Sequence, residues 1–225
     1  MRPHSVHAVI AVKNLDLAKS RLADRLRPEQ RARLVLAMLA DTVTAALAVP
    51  RIGSVTVVTP DRAVAELARS LGAEDHPEPA AAPDLNGALG AAAAALRERH
   101  GPVELLALQA DLPALRPSEL AHMLTVAPAG KRSVIVDHAG TGTAALFAGD
   151  GTLALEPRFG PDSARAHRAA GAVDLAGDWP GLRLDVDTAA DLDAAVALGP
   201  GPATRRLLRE IGWSTEVHEA VRNVC

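Results

Sequence analysis

The stretch Val103–Ala110, VELLALQA, has a strong strand pattern and is followed directly by Asp111-Leu112-Pro113. A short run that is apolar almost throughout predicts a strand buried on both faces. Two similar runs lie upstream, Val6–Val12 (VHAVIAV) and Ser54–Thr59 (SVTVVT). Buried strands of this kind are typical of a parallel sheet covered by helices.

Helical segments separate the strands along most of the chain. Further strands are predicted at Ala73–His76, Ser133–Val136, Thr143–Ala148, Ala172–Leu175 and Leu182–Asp185. Helices are predicted over residues 28–48, 60–71, 85–99, 117–126, 162–170, 188–198 and 204–211, with proline or a capping residue at several starts. The alternation predicts an α/β three-layer sandwich with a mainly parallel sheet. Because no linker or repeat divides the chain, we expect a single domain over residues 1–225.

Composition excludes several classes of protein. The 225 residues carry a formal net charge of −3 and four aromatic side chains, which argues against a nucleic-acid partner. The single cysteine excludes an internal disulfide and a cysteine-based zinc site. No apolar stretch approaches the length of a membrane span, and the N-terminus lacks a signal-peptide pattern. We therefore expect a cytoplasmic protein with no membrane partner, and we leave a homodimer open.

A basic segment follows the first strand. Lys13, Lys19, Ser20 and Arg21 lie within nine residues, although the chain contains only three lysines. The segment has no glycine, so it is neither a Walker loop nor a dinucleotide fingerprint. Ammonium and guanidinium groups beside a helix start suit a polyphosphate, and the alternative is a solvated face that is basic by chance.

Carboxylates follow two of the predicted strands. Asp111 is the first charged residue after the run 105–110, where a lone carboxylate suits a hard cation such as Mg²⁺. Asp185 and Asp187 have period-two spacing, which places both on one side of a strand end, where they could complete a Mg²⁺ site with Asp111. The alternatives are a turn-forming role for Asp111 and a helix-capping role for Asp187.

Two loops combine glycine with hydroxyl groups. Gly140-Thr141-Gly142-Thr143 precedes a strand, and Phe159-Gly160-Pro161-Asp162-Ser163 leads into a helix. Both suit a small anion, although a simple capping role explains the second loop equally well. Asp84 and Asn86 are either an Asx cap or a nucleotide contact. The eight histidines show no metal-ligand spacing and are interpreted as surface or core residues.

These motifs together, in this order and spacing, resemble the guanylyltransferases of coenzyme F-420 biosynthesis, the CofC/FbiD family. The resemblance extends from about Val6 to about Pro202. It implies a nucleotidyltransferase fold similar to that of the molybdenum-cofactor guanylyltransferases. It also implies transfer of GMP from GTP to the phosphate of a three-carbon acid, with release of pyrophosphate. The acid would be phosphoenolpyruvate, with 2-phospho-L-lactate as the alternative.

The resemblance implies roles for individual residues. Thr143, Gly160 and Ser163 would hold the acid, and Asp111 with Asp185 would hold Mg²⁺. An existing phosphate is already a nucleophile, so catalysis would need positioning and charge neutralisation rather than a general base. A nucleotidyltransferase for a sugar phosphate or a molybdopterin remains a second hypothesis, and a non-catalytic nucleotide-binding module remains a third.

Overall fold

Seven strands form one sheet in the computed structural model, which describes residues 5–13, 15, 19–78 and 84–214. The strands are β1 (Val6–Ala11), β2 (Ile52–Val58), β3 (Glu74–His76), β4 (Glu104–Leu108), β5 (Arg132–Val136), β6 (Thr143–Ala148) and β7 (Val173–Asp174). The helices are α1 (Pro28–Leu47), α2 (Arg62–Ser70), α3 (Leu85–His100), α4 (Pro117–Val126), α5 (Ser163–Ala169), α6 (Pro180–Arg183), α7 (Ala189–Leu198) and α8 (Pro202–Glu210). A short 3-10 turn spans Ser20–Leu22, within the basic segment that follows β1. Residues 14, 16–18 and 79–83 lie outside the described residues.

The strand order is β3-β2-β1-β4-β6-β5-β7. Strand β6 pairs antiparallel with both β4 and β5, whereas the pairs β1–β2, β1–β4, β2–β3 and β5–β7 are parallel. The sheet is therefore parallel except for one strand, which confirms the predicted α/β class with a mainly parallel sheet.

Both faces of the sheet are buried under helices. Ile10 of β1 belongs to one core cluster with Met38 of α1, whereas its neighbour Val9 belongs to a second cluster with Leu89 of α3. Successive side chains on a strand point to opposite faces, so each face needs its own layer of helices. This arrangement accounts for the run of apolar residues that lacks polar alternation.

The reversed strand β6 determines where the candidate site residues meet. Because β6 runs against β4, its first residue, Thr143, lies at the same edge of the sheet as the carboxyl end of β4. The backbone N–H of Gln109 donates to the Ala144 carbonyl at 3.0 Å, and the Gln109 side chain donates to the Thr143 carbonyl at 3.2 Å. Residues that follow β1 and β4 thus meet residues that precede β6.

One predicted strand is wrong. The segment Leu182–Asp185 is not a strand: residues 180–183 form α6, and the following residues have no regular secondary structure. Pro180 begins the helical turn, and the carboxylate of Glu119 accepts hydrogen bonds from the N–H groups of Gly181 and Leu182 at 3.1 and 2.9 Å. This distant cap satisfies donors that a strand would pair with a neighbour. The other predicted strands and helices are confirmed, with ends that shift by at most two residues. Within the described ranges, no helix combines the length and the apolarity that crossing a bilayer requires.

Candidate active site

Two adjoining clefts open at the edge of the sheet where β1 and β4 end. The lysine cleft has a volume of about 680 Å³ and is lined by Lys13, Lys19, Ser20, Arg21, Glu78, Asp111 and neighbouring apolar residues. The hydroxyl cleft has a volume of about 570 Å³ and is lined by residues that include Thr143, Gly160, Ser163, His138 and Asp185. Both clefts share Arg21, Leu85, Gln109 and Asp187. The structure thus joins most of the predicted site residues in two neighbouring cavities.

Lys19 lies between two carboxylates at the base of the lysine cleft. Its Nζ donates to Oδ1 of Asp187 at 2.8 Å and also forms an ion pair with Asp111. Burial on its own would lower the pKa of Lys19, but the two carboxylates outweigh it and raise the pKa above its usual value. The ammonium is therefore charged and joins segments that are far apart in the chain.

Asp111 and Asp185 each have one buried oxygen without a partner. Oδ1 of both residues accepts no hydrogen bond in the described part of the chain. His138 Nδ1 lies 3.4 Å from the Asp185 oxygen, but the two atoms form no hydrogen bond. Burial, followed by the charge of Asp111 and other nearby carboxylates, raises the pKa of Asp185 to about 6. Buried oxygens of this kind need a donor or a cation.

Asp187 does not cap the helix that follows it. Thr188 is the N-cap of α7, and its side chain and that of Asp191 form a capping box. The carboxylate of Asp187 instead pairs with Lys19 and lies 3.6 Å from Arg21 Nη1. Its expected position on the side of a strand is wrong, since residues 184–187 have no strand structure, yet Asp187 and Asp185 still line the same cleft.

The carboxylates do not form a preassembled metal cage. Within the described ranges, no three Asp, Glu, His or Cys side chains converge as metal ligands do. Mg²⁺ commonly takes one or two carboxylates and completes its octahedral shell with water and substrate phosphates. The orphaned oxygens of Asp111 and Asp185 fit that requirement, and the Lys19 ammonium marks a place that already favours positive charge.

The three residues that the resemblance assigns to the acid, Thr143, Gly160 and Ser163, come together in the hydroxyl cleft. Ser163 Oγ donates to Thr143 Oγ1 at 3.0 Å, although the two residues come from different loops. Both side chains are almost completely buried, and Ser163 is the first residue of α5. Gly160 has a φ of +137°, a conformation that favours glycine, and its open Cα side faces empty space. Asp162, the residue before α5, is the N-cap of this helix, but its side chain makes no capping hydrogen bond.

Asp84 and Asn86 make structural hydrogen bonds. Asp84 Oδ1 accepts from the Gly87 N–H at 2.8 Å, which makes it the side-chain cap of α3. Asn86 exchanges two hydrogen bonds with the backbone of Phe159, at 2.7 and 3.0 Å. Neither residue lines the two clefts, whereas Leu85 between them lines both.

His167 is the functional candidate that the sequence interpretation missed. It is 1% exposed and its Nδ1 lies 3.0 Å from Thr143 Oγ1. His167 follows Ser163 by four residues on one helix, which places both side chains on the same face. This spacing is the sequence signal that could have indicated that His167 lies beside Ser163. Burial lowers the pKa of His167 to about 4, helped by Arg158 and Arg132 and opposed by a hydrogen bond to the Ser163 backbone.

The chain is similar to several known proteins. The family model described as "Guanylyl transferase CofC like" matches residues 6–224. A phosphoenolpyruvate guanylyltransferase of Nocardia farcinica is 71% identical over 227 aligned positions, covering 100% of both chains. A solved nucleotidyl transferase from Methanothermobacter has a TM-score of 0.56 at 16% identity and covers 92% of this chain and 99% of its own. A Mycobacterium tuberculosis protein solved with manganese has a TM-score of 0.51 at 19% identity and covers 87% of this chain and 99% of its own.

The likeness to the solved structures establishes a nucleotidyltransferase-like fold, as the resemblance implied. The family model covers nearly the whole chain, and the Nocardia relative aligns with all of it. The chain therefore belongs to the CofC-like guanylyl transferase family.

Proposed function

We propose that the protein transfers GMP from GTP to the phosphate of phosphoenolpyruvate and releases pyrophosphate. The observation that carries this proposal is the pair of adjoining clefts that share Arg21 and Asp187. The lysine cleft offers the cationic groups of Lys13, Lys19 and Arg21 to a triphosphate. The hydroxyl cleft also contains carboxylates, and it offers the hydroxyl groups of its wall to a small acid. The 71% identical Nocardia relative carries the name of this activity.

The reaction needs no general base. A phosphate oxygen of the acid attacks the α-phosphorus of GTP, and the bond from that phosphorus to the oxygen bridging to the β-phosphate breaks. The released pair of electrons stays on pyrophosphate, so no proton has to move. The chain's contribution is to hold two anions in line and to balance their charge.

We assign binding of the polyphosphate to the lysine cleft and binding of the acid to the hydroxyl cleft. Lys13, Lys19, Ser20 and Arg21 would bind the polyphosphate, and Thr143, Gly160 and Ser163 would bind the carboxylate of the acid. Asp111 and Asp185, with Asp187 beside them, would hold Mg²⁺, which supplies charge neutralisation at the phosphates. Asp84 and Asn86 would act on the nucleotide only through the position of Leu85 and the start of α3.

Pyrophosphate release from GTP tests the proposal. Phosphoenolpyruvate should support release at the highest kcat/KM, and 2-phospho-L-lactate, a sugar phosphate and a molybdopterin are the competing acceptors. ATP and CTP should replace GTP poorly. Release with a sugar phosphate or a molybdopterin alone would identify a different nucleotidyltransferase, and nucleotide binding without release would identify a non-catalytic module. A homodimer and a cytoplasmic location stay predictions, which light scattering and cell fractionation can test.

A further inference from the structure

His167 lies behind the hydroxyl cleft, and the proposed reaction gives it no role. Its Nε2 lies 2.8 Å from the backbone N–H of Arg158, and its Nδ1 lies 3.0 Å from Thr143 Oγ1. The Phe159 ring packs edge-on against the imidazole, with ring centroids 5.3 Å apart. The imidazole is therefore held at a fixed orientation by both nitrogens and by one ring neighbour.

These contacts determine the tautomer. A backbone N–H can only donate, so Nε2 must accept and carries no proton. In a neutral imidazole the proton then resides on Nδ1. Nδ1–H can donate to Thr143 Oγ1, 3.0 Å away, or to the backbone of Ser163, and in neither case can Nδ1 accept the Thr143 proton. The lowered pKa of His167 keeps the ring neutral at physiological pH.

The tautomer determines how many hydroxyl protons are left for a ligand. Thr143 Oγ1 accepts from His167 Nδ1 and from Ser163 Oγ, which occupies both of its lone pairs. The Thr143 proton then has no acceptor in the described part of the chain. If Thr143 instead donates to Ser163, the Ser163 proton is left over. Either way, one hydroxyl donor remains at the wall of the cleft.

The opposite tautomer would remove that donor. An unprotonated Nδ1 would accept the Thr143 proton, and Ser163 would still donate to Thr143. Both hydroxyl protons would then be used within the protein, and only oxygen lone pairs would face the cleft. Lone pairs repel a carboxylate, whereas a positioned hydroxyl binds it.

We propose that His167 is a positioning residue of the acceptor site, whose Nδ1–H fixes the hydroxyl protons of Thr143 and Ser163 so that one donor stays available to the bound acid. The proposal rests on the proposed function only in naming that ligand as a phosphorylated acid. The arrangement of donors itself follows from the protein's own hydrogen bonds.

Two amide substitutions separate the two ring nitrogens. In His167→Asn the amide N–H can replace Nδ1–H, because it lies at a similar distance from the backbone. In His167→Gln the longer side chain reaches the place of Nε2 and leaves Thr143 without its donor. We expect the KM for phosphoenolpyruvate to rise about tenfold in His167→Gln and to change by less than about threefold in His167→Asn, as loss of one hydrogen bond predicts.

The readouts distinguish positioning from a purely structural role. The KM for GTP should be unchanged in both variants, and His122→Gln, which removes a histidine that accepts from Trp179, should leave the KM for the acid unchanged. Thr143→Val should raise the KM for the acid as His167→Gln does, and the double variant should add little further. Equal effects of Asn and Gln at position 167, or parallel changes in both KM values, would overturn the proposal.

A second measurement does not depend on activity. Long-range ¹H–¹⁵N NMR correlations report which imidazole nitrogen is protonated. We expect His167 to be neutral and protonated on Nδ1 at pH 7 in the unliganded protein, and a proton on Nε2 would overturn the proposal. If no acceptor supports pyrophosphate release but Nδ1 is protonated, the proposed function fails and the positioning role still holds for whatever anion the cleft takes.

Discussion

Lys19 Nζ donates a 2.8 Å hydrogen bond to Asp187, a residue 168 positions later in the chain. The same ammonium forms an ion pair with Asp111, so one cation is shared by the carboxylates proposed to bind Mg²⁺. A divalent ion and this ammonium would compete for the same negative charge. Binding of the metal with GTP should therefore move Lys19 from the carboxylates to the phosphates.

Substitution of Lys19 by alanine should raise the affinity of the nucleotide-free protein for Mn²⁺. Removal of the ammonium leaves Asp111 without its ion-pair partner and Asp187 with Arg21 alone, and we expect about a tenfold tighter Kd. The same variant should bind GTP more weakly, with little change in binding of the acid, since the triphosphate loses a cationic ligand. Electron paramagnetic resonance measures free Mn²⁺, and calorimetry measures GTP. Lys131→Ala, an exposed lysine away from both clefts, is the control, and an unchanged Mn²⁺ affinity in Lys19→Ala would contradict the shared site.

Asp111→Asn should nearly abolish pyrophosphate release while the protein stays folded. The amide keeps the size of the side chain but loses the charge that would hold the metal, which should cost several kcal/mol of transition-state stabilisation. The free energy of unfolding should change by less than this loss of transition-state stabilisation, because Lys19 still pairs with Asp187. The matched control is Asp178→Asn, at an exposed position outside the site. Wild-type rates for Asp111→Asn at saturating Mg²⁺ would show that this residue does not bind the metal.

The sequence predicts those parts of the site that depend on local pattern. The apolar run before Asp111 and the glycine before Ser163 each indicate a strand end or a helix start. The reversal of β6 was also predictable, since only residues 137–142 connect β5 to β6 and parallel strands need a far longer crossover. The antiparallel direction of β6 brings Thr143 to the same edge of the sheet as the end of β4.

Other features depend on contacts that no local pattern contains. The helical turn α6 replaces an expected strand because Glu119, about sixty residues upstream, caps its N-terminus. The partners of Lys19 lie 92 and 168 residues away in the chain. His167 has a helical spacing from Ser163, but its role becomes visible only when Thr143 and the Arg158 backbone N–H contact the two ring nitrogens.

Gly160→Ala should raise the KM for the acid several-fold and leave the KM for GTP unchanged. The added methyl would meet no described protein atom within 4 Å apart from its chain neighbours, so it would extend into the part of the cleft that we propose holds the acid. The positive φ adds backbone strain of about 1–3 kcal/mol. Gly171→Ala is a control for this strain, since Gly171 also has a positive φ and open surroundings but does not line the cleft. Steady-state kinetics and the Tm of both variants decide the outcome, and an unchanged KM in Gly160→Ala would place the acid elsewhere.

The free energy of unfolding should decrease as the pH falls from 6.5 to 4, because the pKa of His167 is lower in the folded protein than in the unfolded chain. Burial lowers the pKa of His167 from 6.5 in the unfolded chain to about 4 in the folded protein. In that window the unfolded chain binds a proton that the folded protein does not, so the stabilisation is complete above pH 6.5 and is lost as the pH falls towards 4. The shift corresponds to at most about 3.5 kcal/mol at neutral pH. His167→Asn has no titrating group at this position, so its free energy of unfolding, measured in urea from pH 7 to pH 4.5, should decrease less steeply than that of the wild type. Asp185 and the other carboxylates are present in both proteins, so the difference between the two proteins reports on His167. Parallel curves of the free energy of unfolding against pH would show that His167 is not buried in its neutral form.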